Sequence, residues 1–158
     1  ESGKYVELFN AFAAKHDLSG RAQADHICYK CGSKESFETV REMFEGESAY
    51  IYQAIISKRR MAILRFKQGI ETSLGVIHFL ELSDQKRDNS QEDGFDHIEA
   101  YPVGRSYDDM IKEFEVSENV VKVERPHHTT HDIEIGDGFV FRCTHESLIE
   151  KIKRVEMV

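Results

Sequence analysis

The tripeptide Asp-His-Ile occurs twice in this 158-residue chain, once around His26 and once around His97, about 70 residues further along. Imidazole is the commonest metal-binding side chain in proteins, and it also suits general acid–base chemistry near neutral pH. A histidine that recurs at one place in a repeated unit indicates a site formed between two halves of the chain. His26 and His97 are therefore candidate metal ligands.

The repeat extends beyond the tripeptide. Residues 36–45 and 106–115 share a pattern of serine, aromatic and acidic side chains, and their separation is close to that of the two histidines. Because both pairs of similar segments are separated by nearly the same number of residues, we predict a duplicated module of about 70 residues. If the two modules are quasi-symmetric, their first strands bring the two histidines to equivalent places that face one cleft.

Hydrophobic periodicity places the elements of each module. Helical spacing predicts helices over 4–15, 34–45, 106–115 and 145–155. Apolar runs predict strands over 24–30, 48–56, 60–67, 74–82, 95–103, 118–124, 129–135 and 138–143, with a polar linker over 83–94. Both modules thus have the order βαβββ. We predict one domain over residues 1–158, with an N-terminal helix (3–16), module one (22–82), module two (95–145) and a C-terminal helix (145–156).

Composition narrows the class of protein. With 40% hydrophobic residues the chain can build a core, and its formal net charge of −8, spread along the chain, argues against a nucleic-acid partner. No stretch approaches the roughly 18 apolar residues of a membrane-spanning helix, so no membrane association is expected. Three cysteines without a disulfide-framework spacing fit a reducing compartment. These features predict a cytoplasmic protein.

Two tandem βαβββ units with a histidine in each first strand resemble the vicinal oxygen chelate superfamily, which includes glyoxalase I, bleomycin-resistance proteins and extradiol dioxygenases. Within it the chain is more closely similar to the YecM family. The residues that carry this likeness are Ala24-Asp25-His26-Ile27, Cys31, Leu80-Glu81-Leu82, Gly94-Phe95-Asp96-His97-Ile98-Glu99 and Ser147-Leu148-Ile149-Glu150-Lys151-Ile152. The resemblance implies an α+β fold, in which two tandem βαβββ modules form curved mixed sheets around a cleft, with extra N-terminal and C-terminal helices.

The resemblance also implies a metal site. Glu81, at the end of the last strand of module one, matches a superfamily ligand and joins His26 and His97. Two imidazoles and one carboxylate form a facial triad that leaves coordination positions open for substrate and water. The expected cofactor is one divalent ion, with zinc, iron, nickel and manganese all compatible with these ligands.

The fourth ligand of glyoxalase-like relatives is usually a glutamate on the last strand of module two, but residues 138–145 contain none. Superposing Phe79 on Phe141 puts Cys143 opposite Glu81, whereas aligning the glycines that begin the two strands puts Thr144 there. A slip of one residue reverses the facing side chain. Cys143 is thus a candidate fourth ligand that would favour zinc, and the alternative is a small residue of the apolar core.

Other constellations have plainer interpretations. A zinc clip made of Cys28, Cys31, Cys143 and His145 is disfavoured, because strand alternation points positions 28 and 31 to opposite faces. A second histidine group, over residues 127–131, is interpreted as the polar beginning of a strand. His127 and His131 would lie roughly 13 Å apart along that strand, which is too far for them to bind one metal ion.

Glu99 is the candidate catalytic acid–base group. It lies two residues after His97, on the same face of the strand and beside the expected metal. The alternative is that Glu99 only orients a histidine.

The resulting hypothesis is a metal-dependent enzyme whose divalent ion chelates a small molecule through two adjacent oxygens, with isomerase, lyase and dioxygenase chemistry all open. The alternative, on the same fold, is a non-catalytic small-molecule-binding or metal-binding protein. Because both modules belong to one chain, a monomer suffices to complete the cleft, and a homodimer is the alternative.

Overall fold

The computed structural model describes residues 3–45, 48–56, 59–84, 93–124 and 129–150. Its elements are α1 (Gly3–Lys15), β1 (Ala22–Lys30), α2 (Lys34–Glu45), β2 (Ser48–Ile56), β3 (Arg59–Thr72), β4 (Gly75–Ser83), β5 (Gly94–Pro102), α3 (Tyr107–Glu115), β6 (Val121–Glu124), β7 (Thr129–Gly136) and β8 (Phe139–Cys143). The C-terminal helix begins at residue 148, and its predicted continuation beyond 150 lies outside the described residues. No described helix has both the length and the apolar character that crossing a membrane requires.

The eight strands form one sheet in the order β2-β3-β4-β1-β5-β8-β7-β6. β1 and β5, the first strands of the two modules, pair antiparallel at its centre. β1 pairs in parallel with β4, and β5 pairs in parallel with β8, so the same strand order runs outward on both sides. The predicted α+β fold of two βαβββ modules is confirmed, with both modules joined in one curved mixed sheet.

The main core lies on one face of this sheet, against α1 and α3. Ile27 of β1 and Ile98 of β5 are fully buried there, together with Phe9 of α1 and Phe114 of α3. Successive side chains of a strand point to opposite faces. The histidine that precedes each of these isoleucines therefore points away from the main core, to the other face of the sheet.

Two strands have an end that lies three or more residues from its predicted position. β3 continues to Thr72 instead of ending at 67, because its pairing with β4 slips between Arg65 and Ile70 and then resumes. Several residues at the slip are polar, so the spacing of apolar residues does not indicate that the strand continues. β6 begins at Val121 instead of 118, because the backbone N–H groups of residues 117 and 118 still donate to the Phe114 carbonyl of α3.

Candidate metal centre

Four side chains from the three central strands converge on the face opposite the main core. They are His26 of β1, Glu81 of β4, and His97 and Glu99 of β5, and one ligand atom of each lies within 4.8 Å of all the others. The structure thus brings together the three residues predicted as ligands. It also places Glu99, predicted as an acid–base group, among them.

The register of the central strands explains why these residues meet. His26 lies opposite Glu99 in the antiparallel β1–β5 pair, and Cys28 lies opposite His97. In the parallel β1–β4 pair, Cys28 lies beside Glu81. Cross-strand neighbours share a face of the sheet. Two carboxylates and two imidazoles are therefore set side by side by backbone pairing.

A β-bulge precedes each histidine. Between Ala24 and His26 the pairing with β5 advances two residues on β1 against one on its partner, so Asp25 is an extra residue. On β5 the same slip makes Asp96 the extra residue before His97. A bulge bends the strand and re-aims the side chains beside it. Each aspartate consequently reaches the histidine that follows it, although simple alternation would point the two apart.

These aspartates determine how the histidines present their nitrogens. His26 Nδ1 lies 2.7 Å from an Asp25 carboxylate oxygen, and His97 Nδ1 lies 2.7 Å from an Asp96 oxygen. Because a carboxylate only accepts hydrogen bonds, each Nδ1–H must be the donor. In a neutral imidazole the remaining Nε2 then carries a lone pair, which is the arrangement found in metal-bound histidines.

Both Nε2 atoms face carboxylate oxygens. His26 Nε2 lies 3.2 Å from Glu81 Oε2 and 3.0 Å from Glu99 Oε2, while His97 Nε2 lies 3.3 Å from Glu99 Oε2 and 3.7 Å from Glu81 Oε2. Four acceptor atoms at this spacing repel one another unless a cation lies among them. The cation is a metal ion, the proton of an imidazolium or the guanidinium of Arg142, whose Nη1 lies 3.1 Å from His97 Nε2.

The pKa values of these side chains show this demand for positive charge. Burial lowers the pKa of His26, but the negative charge of Glu99 and hydrogen bonds with Asp25, Glu81 and Glu99 outweigh it and raise that pKa well above its usual value. Burial raises the pKa of Glu81, yet hydrogen bonding to His26 and the charge of both histidines lower it to about 2. The site therefore holds the Glu81 carboxylate ionised.

The donor spacing fits a single metal ion. Bonds from a divalent transition metal to imidazole nitrogen or carboxylate oxygen are about 2.1 Å long, so adjacent donors lie about 3.0–3.4 Å apart. Three of the four distances between Nε2 and Oε2 atoms fall in this range, and the fourth is 3.7 Å. Mixed nitrogen and oxygen donors suit zinc, iron, nickel and manganese.

The charge around the donors also favours a cation. Five carboxylates lie at or next to the site, and the positively charged side chains there are those of Arg142 and Lys30. The carboxylates belong to Asp25, Glu81, Asp96, Glu99 and Asp132. Lys30 pairs with Asp96 at 3.2 Å, and Arg142 pairs with Asp132. With neutral histidines, the carboxylates outnumber the cations, which attracts a divalent ion.

Arg142 takes the place on β8 that corresponds to Glu81 on β4. Glu81 lies beside Cys28, the second residue after His26, and Arg142 lies beside Glu99, the second residue after His97. Both predicted alignments of β4 with β8 are wrong. The alignment that matched Glu81 with Cys143 is off by one residue, and the alignment that matched it with Thr144 is off by two.

The alignment error has a physical cause. Phe79 lies beside His26, whereas Val140, not Phe141, lies beside His97. Matching the two phenylalanines therefore paired side chains that point to opposite faces of the sheet.

The structure places Cys143 in the main core instead of with the other donors. It lies beside Ala100 in the β5–β8 pair and is fully buried. Burial raises the pKa of its thiol, which opposes the thiolate form that a metal needs.

The other predicted alternatives are also dispersed. Cys28 lies on the face of the sheet that holds the four converging side chains, whereas Cys31 packs with Phe37 in a smaller core under α2. The ring of His145 stacks on Tyr107, and the Tyr107 hydroxyl lies 2.7 Å from His131 Nδ1. His127 and His128, the other members of the second histidine group, lie outside the described residues.

The repeat itself carried a signal that sequence reasoning did not use. An aspartate precedes both histidines, and the structure shows that each one orients its neighbour. Arg142 had no comparable signal, because its place facing the site depends on strand register.

Replacing Asp25 by asparagine is expected to weaken metal binding by about 10- to 100-fold, since an amide orients the His26 ring less strongly and makes Nε2 less basic. Isothermal titration calorimetry with a divalent metal measures this change. Asp108→Asn, in the exposed first turn of α3, is the matched control for loss of one negative charge. Equal metal affinities of Asp25→Asn and the wild type would contradict the orienting role.

Comparison with known proteins gives a family and a fold. The sequence model of the family described as YecM protein matches residues 4–136. Among solved structures, the structural-genomics protein EC4020 superposes with a TM-score of 0.74 at 18% identity, over 97% of this chain and 87% of that chain. No curated protein matches the chain.

A variant of Streptomyces coelicolor methylmalonyl-CoA epimerase, in complex with 2-nitronate-propionyl-CoA, superposes with a TM-score of 0.53 at 15% identity. This match covers 80% of the chain described here and 97% of the epimerase. The epimerase belongs to the vicinal oxygen chelate superfamily, so the predicted superfamily fold is confirmed. At these identities the likeness extends to the fold alone.

Proposed function

Since this chain belongs to the YecM family, whose match includes all four converging donors, we propose that His26, Glu81, His97 and Glu99 bind one divalent metal ion. In this proposal the ion chelates a small molecule through two adjacent oxygens. The observation that carries it is the convergence of four buried or half-buried acceptor atoms, with both Nδ1–H groups already donated to aspartates.

Each residue has a defined task. Asp25 and Asp96 hold the Nδ1 protons and orient the two rings. Glu81 and Glu99 supply the negative charge that compensates the ion. When bound, the metal would supply Lewis acidity, which polarises a ligand oxygen and stabilises negative charge on it. Burial of the donors lowers the local dielectric and strengthens this effect.

A small-molecule substrate is supported by fold likeness. The epimerase of the same fold binds the coenzyme A derivative 2-nitronate-propionyl-CoA. We propose an isomerase, lyase or dioxygenase reaction for this chain, in which a substrate oxygen gains negative charge.

The test is a metal titration of untagged protein stripped with a chelator. Manganese, iron(II), nickel and zinc are titrated separately by calorimetry, under anaerobic conditions for iron. We expect one ion per chain for at least one of these metals, and a lower affinity in Glu99→Gln. Failure of all four metals to bind would overturn the proposed function. Unchanged affinity in Glu99→Gln would remove Glu99 from the ligand set.

The second candidate function is metal-dependent binding of a small molecule without catalysis. It is favoured by the position of Glu99, because a carboxylate engaged as a ligand is a poor proton acceptor. A measurement of catalytic turnover distinguishes the enzyme from the non-catalytic binding protein. If Glu99→Gln keeps its metal but loses turnover, Glu99 is an acid–base group, as the sequence predicted, and the protein is an enzyme.

A further inference from the structure

Arg142 is anchored so that one of its nitrogens points into the metal centre. Its Nε and Nη2 donate to the two oxygens of Asp132 at 2.9 and 3.1 Å, which fixes the plane of the guanidinium. The third nitrogen, Nη1, lies 3.1 Å from His97 Nε2. Only 13% of the Arg142 side chain is exposed, and the pairing with Asp132 and the charges of Glu99 and Glu81 raise its pKa in spite of burial.

The acceptor that Nη1 uses is the one a metal would take. Because His97 donates Nδ1–H to Asp96, its Nε2 offers a single lone pair. In the proposed function that lone pair binds the ion. Metal binding thus removes the acceptor from a charged N–H group in a site that is largely shielded from water. A charged donor is stabilised by an acceptor in such a site, so Nη1 is placed to donate to an oxygen bound beside the ion.

The anchoring by Asp132 limits where that acceptor can lie. The guanidinium cannot turn away without breaking two charge-assisted hydrogen bonds, so Nη1 keeps its direction toward the donors. An oxygen of a molecule held at the metal meets this donor directly. Module one places the carboxylate of Glu81 at the equivalent position, whereas module two places a cation there. This cation reduces the repulsion between the site carboxylates and an incoming anion.

We infer that Arg142 Nη1 binds an anionic oxygen of the metal-chelated ligand, and that the ligand is a small carboxylic acid with an oxygen on the adjacent carbon. A 2-hydroxy or 2-oxo carboxylate has this chemistry. A neutral diol of the same size offers two adjacent oxygens but no charge for Arg142. This inference rests on the proposed metal site and goes beyond it by naming the ligand class and the residue that selects it.

The experiment compares two probes of nearly equal size, one with a carboxylate and one with a neutral amide. Glycolate and its neutral amide, glycolamide, have the same size and the same pair of adjacent oxygens. Their affinities for metal-loaded protein are measured by calorimetry, or by ligand-observed NMR if binding is weak. We expect glycolate to bind more than about tenfold more tightly than glycolamide, because its carboxylate binds a divalent ion more strongly than an amide does and also accepts a charge-assisted hydrogen bond from Arg142. Arg142→Gln should lower this preference by about tenfold, because the charge-assisted hydrogen bond is lost while the metal still favours the carboxylate. Metal affinity should stay the same or rise.

Two further variants keep the test decisive. Arg142→Gln leaves Asp132 without its partner, so the double variant Arg142→Gln/Asp132→Asn is measured in case the single variant folds poorly. Arg65→Gln, which removes an exposed arginine of β3, is the matched control and should retain the preference for glycolate.

Three results would overturn the inference. The first is equal binding of the two probes, or no binding of glycolate, by metal-loaded wild type. The second is a glycolate preference as large in both Arg142 variants as in the wild type. The third is loss of metal affinity in Arg142→Gln, which would make this residue a support for the ligands. If the wild type binds none of the four metals, the proposed function fails together with the inference, and that outcome is distinct from the other three.

Discussion

His26→Ala is expected to lower the affinity for the divalent metal by more than about a hundredfold. Loss of an outer-sphere partner already costs about 10- to 100-fold, and this substitution removes a ligand itself. It also takes away the nitrogen that lies within 3.2 Å of carboxylate oxygens on both Glu81 and Glu99. The carboxylates that remain still attract a cation, so residual weak binding is expected. Calorimetric titration and metal analysis after gel filtration measure the effect.

The control for this variant is His78→Ala, which removes an exposed histidine of β4. It should retain one ion per chain at wild-type affinity. Because His26 is fully buried, alanine at this position leaves a cavity, so His26→Gln is measured beside it to preserve most of the volume. Circular dichroism checks that both variants fold. Full metal content in folded His26→Ala and His26→Gln would contradict the assignment of His26 as a ligand.

Phe141→Ala is expected to cause a large loss of stability, about 3–5 kcal/mol in the free energy of unfolding. Phe141 of β8 is fully buried, and its ring lies 5.3 Å from that of Phe9, 4.7 Å from that of Phe12 and 5.7 Å from that of Phe114, measured between centroids. It therefore joins α1 and α3 to the sheet, and its removal leaves a cavity among all three. Urea denaturation of metal-free protein measures the loss.

Val116→Ala is the control, because 87% of Val116 is exposed. Its free energy of unfolding should lie within about 0.5 kcal/mol of the wild type. If Phe141→Ala does not fold, Phe141→Leu provides a milder variant that should lose less stability than alanine would. A loss below about 1 kcal/mol in Phe141→Ala would contradict the position of this ring in the core. Folded Phe141 variants should bind metal normally, since the residue points away from the metal centre.

Much of the fold was predictable because its signals are local. The helices and strands follow from the spacing of apolar residues over ten or so positions, and their duplication follows from the two Asp-His-Ile segments. Since His26 and His97 stand at one place in equivalent strands, the pairing of β1 with β5 brings them to one site. For the same reason the sequence already indicated which face of β5 holds Glu99.

The composition of the site depended on strand register, which no local pattern determines. A slip of one residue on β8 exchanges Cys143, in the core, for Arg142, beside the four converging side chains, because successive side chains point to opposite faces. The bulges at Asp25 and Asp96 likewise exist only in the pairing between strands, and they let two aspartates reach histidines that alternation would separate from them.

The sequence by itself thus determined the duplicated α+β architecture and the two histidines at its centre, since short-range sequence patterns that occur twice predict both. The tertiary structure alone decided that Glu99 joins the donors, that two aspartates orient the imidazoles and that a guanidinium replaces a carboxylate on β8. The physical reason is that these contacts join strands distant in sequence, whose relative register is set by packing of the whole sheet.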